Sequence, residues 1–365
     1  MRTDRSPTCS GKPDHVLLSP DLGPPLTRLT DTAALDRLGF DTFFAEQVGP
    51  DESHLLVRRI SSVHRDRVDA IDGSGPADLE LAPNANTADY AVGDWVLADP
   101  HTRLMVRRLE RRTVFQRRAE GVIGHQLAAA NVDTLFVVTS CNADFNPARL
   151  ERYLIMANEA GTRPVIVLTK ADMVDDAETY AAQASALQRD LSVVIVNARS
   201  PDAIDPLMPW CGPGQTVALV GSSGVGKSTL VNTLSGPGAG EPQKTGTIRE
   251  QDAKGRHTTT ARSLHAIAGG GWVIDTPGIR TLYVSDVTDG IDTLFAEITE
   301  LAPHCKFRDC SHSHEKGCAV QGAIKGGTLD PDRLDRWRQL QAENRDRTPV
   351  FTGPKGNKML RKKKY

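Results

Sequence analysis

The stretch that decides the fold is Gly221-Ser222-Ser223-Gly224-Val225-Gly226-Lys227-Ser228-Thr229, set between the apolar run Val217–Val220 and the helix-patterned Ser228–Leu234. It matches G-x-x-x-x-G-K-[ST]. The glycines of that pattern let backbone N–H groups curl around phosphates, and the following helix adds the positive end of its dipole. Lys227 is placed to reach the β- and γ-phosphates, and the Ser228 hydroxyl to ligate Mg²⁺. Strand, loop and helix in that order favour a nucleotide site over a glycine-rich turn.

A phosphate loop alone does not choose the base. Thr169-Lys170-Ala171-Asp172, after the strand-like run Pro164–Leu168, fits the [NT]-K-x-D guanine motif. The Asp172 carboxylate can accept from guanine N1–H and N2–H₂ together, a bidentate pairing that adenine does not offer. Lys170 is expected over the base plane. Most GTPases carry Asn where Thr169 stands. Asn197-Ala198-Arg199, at the next strand end, takes the place of the supporting loop, with the Ala198 N–H meeting guanine O6.

Asp275-Thr276-Pro277-Gly278 follows the run Trp272–Ile274 and reads as D-x-x-G. Asp275 is expected to hold Mg²⁺ through water and the Gly278 N–H to sense the γ-phosphate. His257-Thr258-Thr259-Thr260 falls where the first switch must lie, and Thr259 is assigned to the metal shell by position. Ile279 stands where Ras-like enzymes place a water-orienting glutamine, so hydrolysis by the chain alone should be slow. His257 is the candidate for orienting water. The competing reading makes it a switch residue that packs on the nucleotide or faces solvent.

The order of the motifs is unusual. Ras-like GTPases place the phosphate loop first, whereas here the base-reading segments precede it. A pocket needs only loop positions, and domain termini usually lie close together, so a permuted chain can build the same site. The second switch then leads straight into the C-terminal segment, where γ-phosphate loss could pull on whatever that segment holds. From Asn131 onward strand and helix patterns alternate (helices over Pro147–Ala160 and Asp176–Arg189), which predicts a mostly parallel sheet covered on both faces.

Cys305, Cys310, His312 and Cys318 gather three thiols and an imidazole within fourteen residues. That donor set suits one tetrahedral, structural Zn²⁺ stapling a small, mainly helical domain. His304 and His314 compete for the nitrogen position. Leu334, Trp337 and Leu340 recur every three residues in a helix expected from Asp330-Pro331, giving one buried stripe.

Ahead of the GTPase pattern, short alternating runs at 67–72, 94–99 and 104–109 suggest a small oligonucleotide-binding type β-barrel. Arg58, Arg59, Arg65, Arg67, Arg103, Arg107, Arg108, Arg111, Arg112, Arg117 and Arg118 decorate it. Such density favours an RNA face, although exposed arginines can also serve solubility. The proline-rich start, with no continuous apolar stretch, predicts a flexible arm rather than a signal peptide. The last eleven residues crowd Lys355, Lys358, Arg361, Lys362, Lys363 and Lys364, either a phosphate-contacting tail or a solvated end. The net charge of −2 argues against general nucleic-acid coating, and no apolar run reaches membrane-spanning length. The expected division is an arm (1–42), a barrel (43–118), a permuted GTPase domain (119–288), a zinc domain (289–345) and a basic tail (346–365). A cytoplasmic monomer with no membrane contact is expected.

Taken together, Thr169-Lys-Ala-Asp before Gly221–Thr229, Gly255-Arg-His-Thr-Thr-Thr, Asp275-Thr-Pro-Gly-Ile-Arg and the Cys-x4-Cys-x-His-x5-Cys cluster resemble the bacterial ribosome small subunit-dependent GTPase A family, from about residue 45 to 345. The resemblance implies an N-terminal oligonucleotide-binding barrel, a circularly permuted GTPase core and a C-terminal zinc domain. It also implies binding of GTP and GDP, contact with ribosomal RNA, and late maturation of the small ribosomal subunit, which stimulates hydrolysis. It assigns hydrolysis to His257 and zinc to Cys305, Cys310, His312 and Cys318. Alternatives are a permuted GTPase serving the large subunit and a nucleotide-gated RNA-binding adaptor.

Overall fold

The computed structural model describes residues 32–118, 125–236, 263–275, 286–348, 351–352 and 358–359. The chain enters through α1 (Thr32–Leu38) and α2 (Thr42–Ala45), which corrects the expectation of an arm reaching residue 42. Ala34, Leu35 and Leu38 bury one face of α1. Asp41 caps α2 by accepting from the Phe43 N–H at 3.1 Å. Phe40 and Phe44 then pack on Trp95, with ring centroids 5.0 and 5.8 Å away. The proline-rich residues 1–31 lie outside the described residues.

Five strands follow: β1 (Leu56–Val63), β2 (Val68–Asp72), β3 (Gly75–Ala77), β4 (Trp95–Ala98) and β5 (Met105–Arg108). They pair in the order β3-β2-β1-β4-β5. A parallel bridge between Glu80 and Leu104 joins the two ends of that row. There the Met105 N–H donates to the Glu80 carbonyl at 2.8 Å and the Glu80 N–H to the Arg103 carbonyl at 2.9 Å. The row thereby closes on itself, which removes a free edge.

Two of the arginines expected on an RNA face are internal. Arg58 pairs with Asp72, and both are buried. Arg59, 1% exposed, donates to the Leu38 carbonyl (2.6 Å), the Thr216 hydroxyl (2.8 Å) and the Asn131 carbonyl (3.3 Å). Burial lowers its pKa to about 10, against the pull of Asp133 and Asp94. Arg107 is tied to Glu52 at 2.6 Å and Arg111 to the buried Asp94 at 2.6 Å. Arg65, Arg67, Arg103 and Arg112 are exposed, the last three in ion pairs with Asp69, Asp78 and Asp41.

Beyond the hairpin β6 (Val114–Arg118) and β7 (His125–Ala130), the α/β region runs through β8 (Thr134–Ser140), α3 (Pro147–Glu159), β9 (Arg163–Thr169), α4 (Ala177–Ser185), β10 (Ser192–Ile195), β11 (Thr216–Val220), α5 (Lys227–Ser235), β12 (Ser263–Ala266) and β13 (Trp272–Asp275). The sheet order is β10-β9-β8-β11-β13-β12, with only β12 antiparallel. Alternate residues of β8 and β11 serve the two faces. Leu135, Val137, Ala218 and Val220 face α3, whereas Phe136, Val138, Val217 and Leu219 face α5. The outer edge of β12 pairs with β1 at Ser62 and Ser263, so sheet and barrel share one continuous ladder.

The C-terminal region comprises α6 (Thr288–Leu294), α7 (Ala296–Leu301), α8 (Ala319–Lys325) and α9 (Pro331–Arg347). Leu334 and Leu340 are buried and Trp337 half-buried, as the three-residue spacing implied. Ions clamp this region to α3. Arg333 donates to Glu297 (2.6 Å) and Glu151 (3.2 Å), Arg336 to Glu151 (2.9 Å), and Arg152 pairs with Glu343 at 2.7 Å. Gly290 sits so close to α3 that a Cβ there would lie 2.3 Å from the Ile155 carbonyl oxygen. Of the basic tail, Phe351–Thr352 and Lys358–Met359 pair as short antiparallel strands, β14 and β15. No helix among the described residues is long and apolar enough to cross a membrane.

Candidate nucleotide and metal sites

Because β10, β9, β8, β11 and β13 are parallel, the loops that carry the sequence motifs all leave the same edge of the sheet. Ligands of open α/β sheets bind at that carboxyl-terminal edge. The glycine loop leaves β11 there. Gly221 has φ +141°, and a Cβ would stand 2.1 Å from the Val138 carbonyl oxygen, so only glycine permits this exit. Gly224 and Gly226 also have positive φ, 79° and 99°. Lys227 opens α5, and its ammonium donates to the Gly221 carbonyl at 2.8 Å and to that of Ser222. Ser222, Ser228 and Thr229 are half-buried, Val225 is buried, and Ser223 and Gly224 face solvent.

The segments that precede the loop in sequence meet it in space. A Cβ at Gly226 would lie 3.7 Å from Thr169 Oγ1 and 3.9 Å from the Ala198 Cβ, so the three motifs touch at one point. The Thr169 hydroxyl is fully buried, 2.6 Å from the Val225 carbonyl oxygen and 3.1 Å from that of Thr139. Threonine thus links the base-reading strand to the phosphate loop where most GTPases use asparagine. After it Lys170 takes a left-handed conformation, φ 57°, and Ala171–Met173 form a 3₁₀ turn that leaves Asp172 exposed. The Thr233 hydroxyl of α5 lies 3.0 Å from the Ala198 carbonyl oxygen, and the Asn197 side chain accepts the Arg199 N–H at 3.1 Å. Neither Thr139 nor Thr233 carries a local sequence signal, since each acts through a long-range contact. Asp275 ends β13, its backbone paired with Ser263. His257, Thr259, Gly278 and Ile279 lie outside the described residues.

Cys305, Cys310, His312 and Cys318 form the second site, with ligand atoms all within 4.8 Å of one another. His312 Nδ1 is 3.5 Å from both Cys305 Sγ and Cys318 Sγ, and those sulfurs are 3.8 Å apart. Ligands at about 2.3 Å (S) and about 2.0 Å (N) from a tetrahedral ion give nearly those edges. The cluster can therefore hold a metal ion, and His304 and His314 do not belong to it. His312 is buried with φ 59°, and its carbonyl accepts from Gln321 Nε2 (2.6 Å) and Arg338 Nη2 (2.5 Å). Glu315 braces the neighbouring turn by accepting from Ser311 N (2.7 Å), Ser311 Oγ (2.5 Å), Ser313 N (3.0 Å) and His314 N (3.1 Å). The Ser311 bonds lead in holding its carboxyl far below the usual range.

A phosphate loop on β11, with guanine-type segments on strands that come earlier in the chain, defines a circularly permuted P-loop GTPase. The comparisons carry this to a family. The RsgA GTPase family pattern matches residues 108–285. The small ribosomal subunit biogenesis GTPase RsgA of Mesorhizobium japonicum is 67% identical over 325 residues, 89% of this chain and 94% of that protein. RsgA 2 of Vibrio vulnificus is 47% identical over 87% of this chain and 90% of its own length. In fold the chain is similar to YjeQ from Thermotoga maritima, with TM-score 0.58 and 23% identity over 79% of this chain and 97% of that one. It is equally similar to the circularly permuted GTPase YloQ, with TM-score 0.58 and 23% identity over 83% and 99%. The chain belongs to the RsgA GTPase family and is a GTP-hydrolysing enzyme.

Proposed function

We propose that this GTPase acts in late maturation of the small ribosomal subunit, as a cytoplasmic monomer whose turnover is accelerated by that subunit. The meeting of Thr169, Ala198 and Gly226 at one point carries the nucleotide part of this reading. The curated names of relatives that match most of the chain support the ribosomal part. Asp172 pairs with the guanine edge, Lys170 covers its plane, and the Ala198 N–H meets O6. The N–H groups of Gly221–Thr229 cradle the phosphates, and Lys227 exchanges the loop carbonyls for phosphate oxygens. Ser228, Thr259 and Asp275 hold Mg²⁺, which neutralises charge on the phosphates. The Gly278 N–H reads the γ-phosphate and His257 orients water. Zinc is the metal that suits the Cys/His cluster, closed by four protein ligands and hence structural. On the barrel, the exposed Arg65 is the candidate for ribosomal RNA, with Arg67 and Arg103 exposed beside it but paired with Asp69 and Asp78.

The test is GTP and ATP turnover by the purified protein, alone and with purified small or large subunits. Stimulation of GTP turnover by small subunits is expected. Stimulation by large subunits alone, or by neither, would overturn the assignment while leaving the GTPase intact.

A further inference from the structure

Five large apolar side chains are exposed among the described residues: Phe43, Leu104, Val106, Met173 and Phe307. Phe43 lies under the Arg112 guanidinium at 4.9 Å, Leu104 and Val106 belong to the barrel wall, and Met173 flanks the base loop. Phe307 differs in its setting. It sits in the short loop between Cys305 and Cys310, both members of the metal-type cluster. The Lys306 N–H donates to the Gly317 carbonyl at 3.0 Å. A Cβ on Gly317 (φ +81°) would lie 3.0 Å from the Lys306 Cβ, so the two loops are pressed together. The ring, 46% exposed, is therefore presented by a pinned backbone.

One cation stands against the ring and two more are exposed on the same two loops. Lys306 Nζ stands 5.6 Å from the ring centroid, and Arg308 and Lys316 are exposed on the same two loops. Glu315, the nearby acid most able to cancel them, is occupied by four donors of its own turn. Asp309 is the remaining exposed acid of the loop. An aromatic face on a pinned loop, with a lysine against it and two exposed cations on the adjoining loops, matches an unpaired nucleotide, whose base stacks while its phosphates meet the cations. An apolar pocket on a protein would take the ring but leave the three cations without partners.

We infer that Phe307 is a stacking platform for an unpaired RNA base, with Lys306, Arg308 and Lys316 on the adjoining phosphates. This rests on the reading of ribosomal RNA as partner. The test uses full-length protein of verified metal content, as wild type, Phe307→Ala and Phe307→Trp. Each is titrated with a short single-stranded oligoribonucleotide and with a blunt duplex of equal length at fixed salt, and each is co-sedimented with small subunits. The single strand is expected to bind the alanine variant about tenfold more weakly than wild type, as for the loss of one stacked base. The tryptophan variant should bind like wild type and show emission quenched beyond the native background. Duplex binding and basal GTP turnover should not change. Equal single-strand binding by Phe307→Ala would overturn the inference. So would a loss seen only with subunits and not with the oligoribonucleotide, which assigns the ring to a ribosomal protein. Stacking on the single strand by a chain that does not sediment with small subunits would support the platform and sink the subunit assignment.

Discussion

Thr169→Val isolates the contact on which the permuted site depends. The substitution keeps shape and removes only the hydroxyl that stands 2.6 Å from the Val225 carbonyl oxygen. A hydrogen bond of this kind contributes about 0.5–1.5 kcal/mol net, and about 1–3 kcal/mol is lost when a buried partner is left unsatisfied. Because Thr169 is fully buried, water cannot replace the donor, and the upper range applies. The linked groups belong to the strand that presents Lys170 and Asp172 and to the loop that precedes Lys227. The loss should therefore divide between global stability and the ordering of the loop when nucleotide binds. If about 1.4 kcal/mol falls on binding, affinity for GDP drops about tenfold.

The assay is titration with a fluorescent GDP analogue, paired with chemical denaturation of the same preparations. Thr169→Ser, which retains the hydroxyl, should bind within about threefold of wild type, less than 1 kcal/mol by the affinity scale. Thr169→Asn, the residue common in this motif, should also bind, since its amide can donate to the same carbonyl. A valine variant with unchanged affinity and an unchanged denaturation midpoint would refute the reasoning, because the link would then carry neither stability nor order.

Further outcomes follow from other contacts. Lys227→Ala should abolish measurable GTP and GDP binding without lowering the melting temperature, as read by calorimetry and titration. His312→Ala should reduce bound metal from one ion per chain to none, and limited proteolysis should then cut around residues 305–325 while the α/β region survives. Glu151→Ala removes the buried carboxylate that Arg333 and Arg336 share, while Glu297 still pairs with Arg333, and should cost about 1–3 kcal/mol, seen as earlier unfolding of the C-terminal region. The Arg107 hydrogen bond, then the Gly49 N–H, holds the Glu52 carboxyl down at about 2. Its folded value lies below the unfolded one, about 4.3. The stabilisation is thus complete above that value and lost as pH falls towards 2. Glu52→Gln should flatten the stability curve in that window, and an unchanged curve would count against the Arg107–Glu52 link.

The phosphate loop, the base-reading segments and the metal cluster were legible because each couples a fixed spacing to a distinct local shape. Strand and helix patterns in the α/β region were legible for the same reason, with ends displaced by only one to four residues. Elsewhere local pattern was not enough. Arg58 and Arg59 look like surface charge on a strand, and only the fold brings Asp72 to one and three backbone and hydroxyl acceptors to the other. Helix α1 was hidden because the prolines ahead of it dominate the composition, while its burial depends on Trp95 and Trp272 far along the chain. The Trp272 indole N–H, for example, donates to the Arg37 carbonyl at 2.9 Å. Sequence named His312 as the nitrogen ligand but left His304 and His314 as competitors, and only the fold removes them. The left-handed backbone at His312, held by Gln321 and Arg338, turns that imidazole alone into the cluster.

The permutation has a mechanical corollary that the contacts qualify. A second switch leading directly into the C-terminal region suggests that γ-phosphate loss pulls on that region. Yet α6 is pressed on α3 at Gly290, whose N–H donates to Glu159 at 2.9 Å, and α9 is held there by Glu151 and Glu343. Moving the region as a body means breaking the buried Arg333–Glu151 pair together with the half-buried pairs of Arg336 and Arg152, at about 1–3 kcal/mol for each charged group left unsatisfied. A nucleotide can supply only its difference in affinity for two states, and a near-complete shift needs about 5.5 kcal/mol. The barrel is coupled differently. Its β1 pairs with β12, the strand that follows the segment expected to hold the first switch, through the Ser62–Ser263 register. Rearrangement at that segment can reach the barrel through a single ladder contact, without breaking a buried charge pair. A route through the Ser62–Ser263 ladder would break none of the ion pairs that hold α9 on α3, so it would cost less than moving the helices.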